Sequence, residues 1–209
     1  MIKRCITEFI GTFFLALMVS MSCLSAHPEL TPLVAGFTLM AMIYASGHLS
    51  GAHFNPAVTL AIFIRGKINL NVVPLYILSQ FAGAAFAAIL ALLLNQGKAV
   101  SSIDLSNIPL EAIMAEFIGA FALSYTVLNV ATSKNTQGND YYGIAIGATL
   151  IGCAFGLGGI SGGAFNPAVA FAFAIGKLSS ISNLWIYWVG ELTAGILAAV
   201  TFLYLNGKD

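Results

Sequence analysis

The chain has 209 residues and a formal net charge of zero, with 59% hydrophobic and 8% charged residues and a mean hydropathy of +0.92. That composition lies far outside the range of soluble globular domains and marks an integral membrane protein whose surroundings are the lipid bilayer. Neither a basic stripe nor an acidic run is present, which argues against a nucleic-acid partner, and the three cysteines show no CxxC or metal-ligand spacing, so neither a disulfide framework nor a metal is expected.

The first apolar stretch runs from Cys5 to about Ser25 behind Lys3 and Arg4. It is too long for the core of a signal peptide and reads as a membrane helix carrying Glu8. His27-Pro28-Glu29 reads as a short turn, and Pro32 suits the first turn of a second span over 31–48. A glycine-rich lead then enters Asn55-Pro56-Ala57, followed by an apolar run to Ile64 and by Arg65-Gly66-Lys67. From Pro56 to Ile64 there are nine residues, whereas a helix needs about 20 to cross the roughly 30 Å hydrocarbon core. The segment is therefore a half-span. In lipid its lead would leave backbone groups unpaired, so it has to lie inside protein or against a water-filled cavity. A third span covers 72–94, and a polar connection over 95–107 closes the first half.

The second half repeats the first. GHLSGAHFNPAV at 47–58 and GGISGGAFNPAV at 158–169 match at eight of twelve positions at an offset of 111, and TEFIGTFFL at 7–15 is echoed by AEFIGAFAL at 115–123, which sets Glu8 against Glu116 and Gly11 against Gly119. Spans are expected over 110–131 and 141–157, then a second lead, a half-span from Pro167 to about Ile175, and a last span over 183–205. The chain thus reads as one membrane domain, 1–209, built of repeats over about 1–95 and 108–209. Three crossings per half is an odd number, so the halves enter the membrane with opposite orientation. With the amino terminus cytoplasmic, Lys3, Arg4, Arg65, Lys67, Lys134 and Lys208 fall inside and only Lys98 and Lys177 outside, as the positive-inside tendency requires. Compact loops and the lack of long tails point to a microbial inner membrane with both termini cytoplasmic.

Two half-helices entering from opposite sides bring their N-termini to the membrane centre, each with unpaired N–H groups and roughly half an elementary positive charge. In a low-dielectric interior that pair repels cations and hydronium, while the amides of Asn55 and Asn166 remain able to hydrogen-bond to a passing neutral molecule. Proline at the first helical position loses no intrahelical bond, and Ala57 and Ala168 leave room where the ends abut. Gly47, Gly51, Gly158, Gly162 and Gly163 are expected to let the leads run extended or left-handed.

Duplicated Asn-Pro-Ala boxes in an inverted repeat, with the AEF-type opening of spans 1 and 4, the stretch from Gly47 to Phe54, and Gln80 with Gly83 in span 3, closely resemble the aquaporin (major intrinsic protein) family. The resemblance covers essentially the whole chain. It implies an all-α right-handed bundle of six transmembrane helices plus two half-helices, a homotetramer with one pore per subunit, and passive passage of water or small neutral solutes with no cofactor. It also places the pore lining at His48, Gly51, Ala52, His53 and Gly162. The family's outer filter normally takes an arginine from the residue after the second box, and here that residue is Val169. By the family's spacing the other filter positions are Ala35, Ala154 and Gly163, although a shift of one residue in span 5 would bring in Cys153 or Phe155.

Losing the arginine removes a fixed cation and a hydrogen-bonding fork. The expected consequence is a pore open to glycerol, urea, ammonia or dissolved gases as well as water, although an apolar constriction that is narrowed by other groups can instead dewet. Position 170 is Ala where the glycerol-conducting branch usually carries an aspartate, so that branch is not assigned. Glu8 and Glu116 read as structural acceptors for the two leads rather than as a proton relay. His48 and His53 read as one residue at the pore mouth and one packed, rather than a pH gate. Arg65 and Lys67 read as anchors, and Trp185, Tyr187 and Trp188 as an interfacial belt. Gly143 with Gly147, and Gly83 with Ala87, read as close helix contacts. No nucleophile, paired-carboxylate or phosphate-loop pattern points to an enzyme. A secondary transporter would need a paired acidic or ion-coordinating site near the midplane, for which the sequence offers Glu8, Glu116 and amides. A non-conducting structural protein would show no permeability above that of empty liposomes.

Overall fold

The structure, a computed structural model, describes residues 1–96 and 102–208; Lys98, counted above among the outer charges, lies outside the described residues. Among the described residues eight α-helices follow one another: α1 (Ile2–Cys23), α2 (Thr31–Ser50), α3 (Pro56–Ile64), α4 (Val73–Leu94), α5 (Pro109–Thr132), α6 (Tyr142–Ser161), α7 (Pro167–Ile175) and α8 (Leu184–Asn206). Six of them are long and apolar enough to cross a membrane, and α3 and α7, at nine residues each, are not. All six prolines occupy the first two positions of a helix or of the short turn Pro28–Leu30. There a missing N–H costs no intrahelical bond and the fixed φ favours initiation.

Both half-helices have the limits expected from the sequence, but the leads are shorter. α2 and α6 continue through Gly47 and Gly158 and stop only where Gly51 (φ 92°) and Gly162 (φ 96°) turn left-handed, their N–H groups donating to Gly47 O and Gly158 O. Gly47 and Gly158 are therefore helical, not extended. Inside a bilayer each further helical turn satisfies its own backbone, so the helix persists until a residue that tolerates positive φ breaks it.

The long helices pair through glycines. A Cβ at Gly83 of α4 would lie 2.5 Å from Phe9 O of α1, and one at Gly190 of α8 would lie 2.7 Å from Ile113 O of α5. Between the halves, Gly36 of α2 and Gly147 of α6 each face the other's carbonyl, at 2.5 and 2.7 Å. Small residues allow this approach, and without a hydrophobic drive in lipid, close packing supplies the adhesion. The half-helices lean on the opposite repeat: α3 packs against α8 and α5, and α7 against α4 and α1. An even number of crossings leaves both termini on one face.

Candidate channel pore

The two leads share one backbone trace. After the left-handed glycine come Ala52 (φ 51°) and Phe54 (φ 49°) in the first, and Gly163 (φ 66°) and Phe165 (φ 47°) in the second. Such a path cannot bond to itself, so side chains receive its donors. Glu8 accepts from His53 N (3.0 Å), Phe54 N (2.7 Å) and the Ser50 hydroxyl (2.6 Å). Glu116 does the same for Ala164 N (3.1 Å), Phe165 N (2.6 Å) and the Ser161 hydroxyl (2.5 Å). Tyr76 donates to Ser50 O (2.7 Å) and Tyr187 to Ser161 O (2.6 Å). Strain at Phe54 and Phe165 is offset by burial, since each ring lies on the bare Cα of a glycine, Gly11 or Gly119, where a Cβ would come within 2.1 or 2.2 Å.

Each box caps its own half-helix. Asn55 Oδ1 accepts from Ala57 N (2.8 Å) and Val58 N (3.4 Å), and Asn166 Oδ1 accepts from Ala168 N (3.0 Å). The leading N–H groups are thus capped rather than bare, as at any asparagine N-cap. The two amides also reach across the repeat: Asn55 Nδ2 donates to Phe165 O and Asn166 Nδ2 to Phe54 O, both at 2.9 Å. Each NH2 carries two hydrogens, so one on each asparagine is left over for a ligand. Pro56, Ala57, Pro167 and Ala168 are buried where the ends meet.

Both asparagines open onto a cavity of about 360 Å³ on the face opposite the termini. Its wall includes Ala35, Ala154, Gly162, Gly163 and Val169, so the four positions expected near a constriction do converge on one cavity. Val58, the counterpart of Val169 in the first repeat, lines the same space. Apart from Cys23, His53, Asn55, Asn166 and the rim residues Glu29 and Thr31, the wall is glycine or an apolar side chain. A second cavity of about 680 Å³ opens on the terminal face past His48, Gly51, Lys67 and Lys134. The two share Ile43, Ala52, Val127 and Ile146 in their walls, so they adjoin from opposite faces, with both boxes on the first. His48 stands at the mouth. His53, half of a pair whose roles the sequence leaves open, is buried, with Nδ1 3.1 Å from Thr59 Oγ1 and its ring edge-on to Tyr76.

With this geometry in place, the family described as Major intrinsic protein matches residues 1–202. The chain belongs to that family. It is 32% identical to aquaporin AqpM of Methanothermobacter thermautotrophicus over 99% of this chain and 98% of the relative, and 34% identical to the putative aquaporin NIP4-1 of Arabidopsis thaliana over 99% of this chain and 76% of the relative. Its fold matches the solved structure of the aquaglyceroporin from Plasmodium falciparum with a TM-score of 0.81, at 22% identity over 96% of this chain and 95% of that one. As a major intrinsic protein it is a multi-pass membrane channel and not an enzyme.

Within this channel several residues have roles that motif and composition do not reveal. Glu191 of α8, wholly buried, accepts from Asn166 N at 2.7 Å; the signal for it is the same offset of 111, which sets it on Gln80. Arg65 is no exposed anchor: it is 5% exposed and its guanidinium lies 4.7 Å from the centre of the Phe202 ring, a cation–π contact that ties the end of α3 to α8. Of the expected aromatic belt only Trp185 faces outward. Tyr187 is buried under the second lead, and Trp188 Nε1 donates to Pro167 O at 3.2 Å while its ring meets Phe81.

Proposed function

We propose that this channel is a wide, weakly selective pore passing small uncharged solutes, water among them, while excluding protons and ions at the paired boxes. The observation that carries the reading is Val169: with Ala35, Ala154 and Gly163 it forms a stretch of cavity wall that has neither a cation nor a hydrogen-bonding side chain. A polar solute crossing there exchanges hydration for little, so size rather than hydrogen bonding sets the barrier. Exclusion of charge is supported by the two opposed helix N-termini, whose dipoles face one another within low-dielectric protein walls, with one spare amide hydrogen on each asparagine to steady a neutral guest. Relatives named aquaporin support water as one solute. The same reading takes the assembly as a homotetramer in a microbial inner membrane, with the termini on the cytoplasmic side where Lys3, Arg4, Lys67, Lys134 and Lys208 gather.

Stopped-flow light scattering on proteoliposomes tests this directly. Water and glycerol are both expected to cross well above empty liposomes, and Val169→Arg is expected to slow glycerol by about tenfold, equivalent to about 1.4 kcal/mol of barrier. Fast water with glycerol excluded in the unmodified protein would sink the wide-pore reading, and no flux of either would sink conduction itself.

A further inference from the structure

The repeat offset that pairs the boxes also pairs their supports: Ser50 with Ser161, Tyr76 with Tyr187, and Gln80 with Glu191. In the first half Gln80 Nε2 donates to Glu8 Oε2 at 2.8 Å and to Thr59 Oγ1 at 2.9 Å. Its counterpart in the second half is a carboxyl, which has no hydrogen to give unless it is protonated. Glu191 Oε1 accepts from Asn166 N, but Oε2 is buried and meets no donor among the described residues. The Glu116 carboxyl lies beside it: the adjacent N–H groups of Phe165 and Asn166 go one to each glutamate, a Cβ at Gly190 would come 3.1 Å from Glu116 Cβ, and both glutamates are 0% exposed.

We propose that Glu116 and Glu191 share one proton, forming a carboxylic acid hydrogen-bonded to a carboxylate that replaces the amide-to-carboxylate bond of the first half and makes the support of the second box a proton-binding site. Two ionised carboxyls side by side in a dry interior repel each other without relief, and a single proton between them turns that repulsion into a charge-assisted hydrogen bond. The donors around the pair suit one anion: the Ser161 hydroxyl and the N–H groups of Ala164 and Phe165 serve Glu116, and Asn166 N serves Glu191. The titratable groups facing Glu191 are Glu116 from α5 and Tyr187 from its own helix, and the Tyr187 hydroxyl is already given to Ser161 O. Among the described residues, α7 and its lead bring only the Asn166 N–H.

Neither carboxyl lines either cavity, so the proton is held beside the pore and not passed along it. Glu191 is then a positioning residue for Asn166. Taking up the proton from water completes the pair. Releasing it as pH rises leaves two anions that push apart and loosen the grip on Asn166 N. The sign follows from linkage: over the pH range in which an unfolded chain has both glutamates ionised, the folded protein holds one more proton, so stability falls as pH rises. Nothing comparable exists in the first half, where an amide makes the bond at every pH.

Infrared spectroscopy of the purified protein, with and without carbon-13 at the glutamate carboxyl, reads the proton directly and requires no transported solute, so its outcome is independent of the proposed selectivity. A protonated-glutamate carbonyl band that shifts with the label and disappears in Glu191→Gln is expected at neutral pH. Melting in detergent is expected to drop as pH is raised for the unmodified protein and to stay level for Glu191→Gln, whose amide supplies the hydrogen as Gln80 does. Absence of the labelled band in the unmodified protein, its full retention in Glu191→Gln, or the same alkaline loss of stability in both proteins overturns the proposal.

Discussion

Around the first lead, hydroxyl, imidazole and amide groups crowd together: Ser50 and Gln80 reach Glu8, Thr59 Oγ1 accepts from Gln80 and donates to Asn55 O, and His53 closes the group. Around the second lead the corresponding positions are Ser161, Glu191, Ala170 and Ala164, so the imidazole and the threonine hydroxyl are gone. The backbone does not register the loss. In both halves the two N–H groups before the box go to one glutamate, a serine hydroxyl joins them, and a tyrosine holds the serine carbonyl. What the fold requires is that every donor on the strained path has an acceptor. The neutral polar groups beyond that first ring are free to differ.

Removing the shared element breaks both halves, unequally. Glu8→Ala orphans four donors, those of Ser50, His53, Phe54 and Gln80, and Glu116→Ala orphans three. At roughly 1–3 kcal/mol per buried unsatisfied group, both variants are expected to lose folded protein on thermal challenge in detergent, Glu8→Ala at the lower temperature. Equal losses would mean either that Gln80 contributes nothing to the first half or that the bond proposed between Glu191 and Glu116 contributes as much to the second.

A smaller effect is expected from Gly11→Val and Gly119→Val, where the new Cβ runs into the Phe54 or Phe165 ring. Overpacking of this kind costs typically about 1–3 kcal/mol. Because the two contacts are near copies, the two melting shifts should agree, and a marked inequality would show that one lead yields more readily than the other. Smallest is Thr59→Ala, which gives the first half the alanine that the second half already has. Loss of the bonds with Gln80, His53 Nδ1 and Asn55 O should cost about 1 kcal/mol net and leave water flux intact. A large loss of flux would make the polar belt functional rather than supporting.

Much of this arrangement is legible in the sequence because the boxes announce themselves. Asparagine as N-cap followed by proline fixes the start of a helix, which is why Pro56–Ile64 and Pro167–Ile175 fall where expected. Gly47 and Gly158 mislead because glycine commonly punctuates chains in water, whereas in a bilayer the backbone keeps to helix as long as it can. Tyr187 and Trp188 suggest a surface belt by clustering with Trp185, but successive helical residues point about 100° apart and only one of the three faces outward. Glu191 is invisible to a comparison of identical residues. Its counterpart is Gln80, the same shape with a different charge.

The reciprocal bonds from Asn55 Nδ2 to Phe165 O and from Asn166 Nδ2 to Phe54 O join residues 110 and 112 apart in the chain. At a synthesis rate of about 5–20 residues per second, the first box emerges roughly 6–20 s before the residues that complete it exist. Throughout that interval Phe54 O and Asn55 Nδ2 lack the partners they have in the folded protein and need water or the insertion machinery to satisfy them, so the first box is complete only once the second arrives.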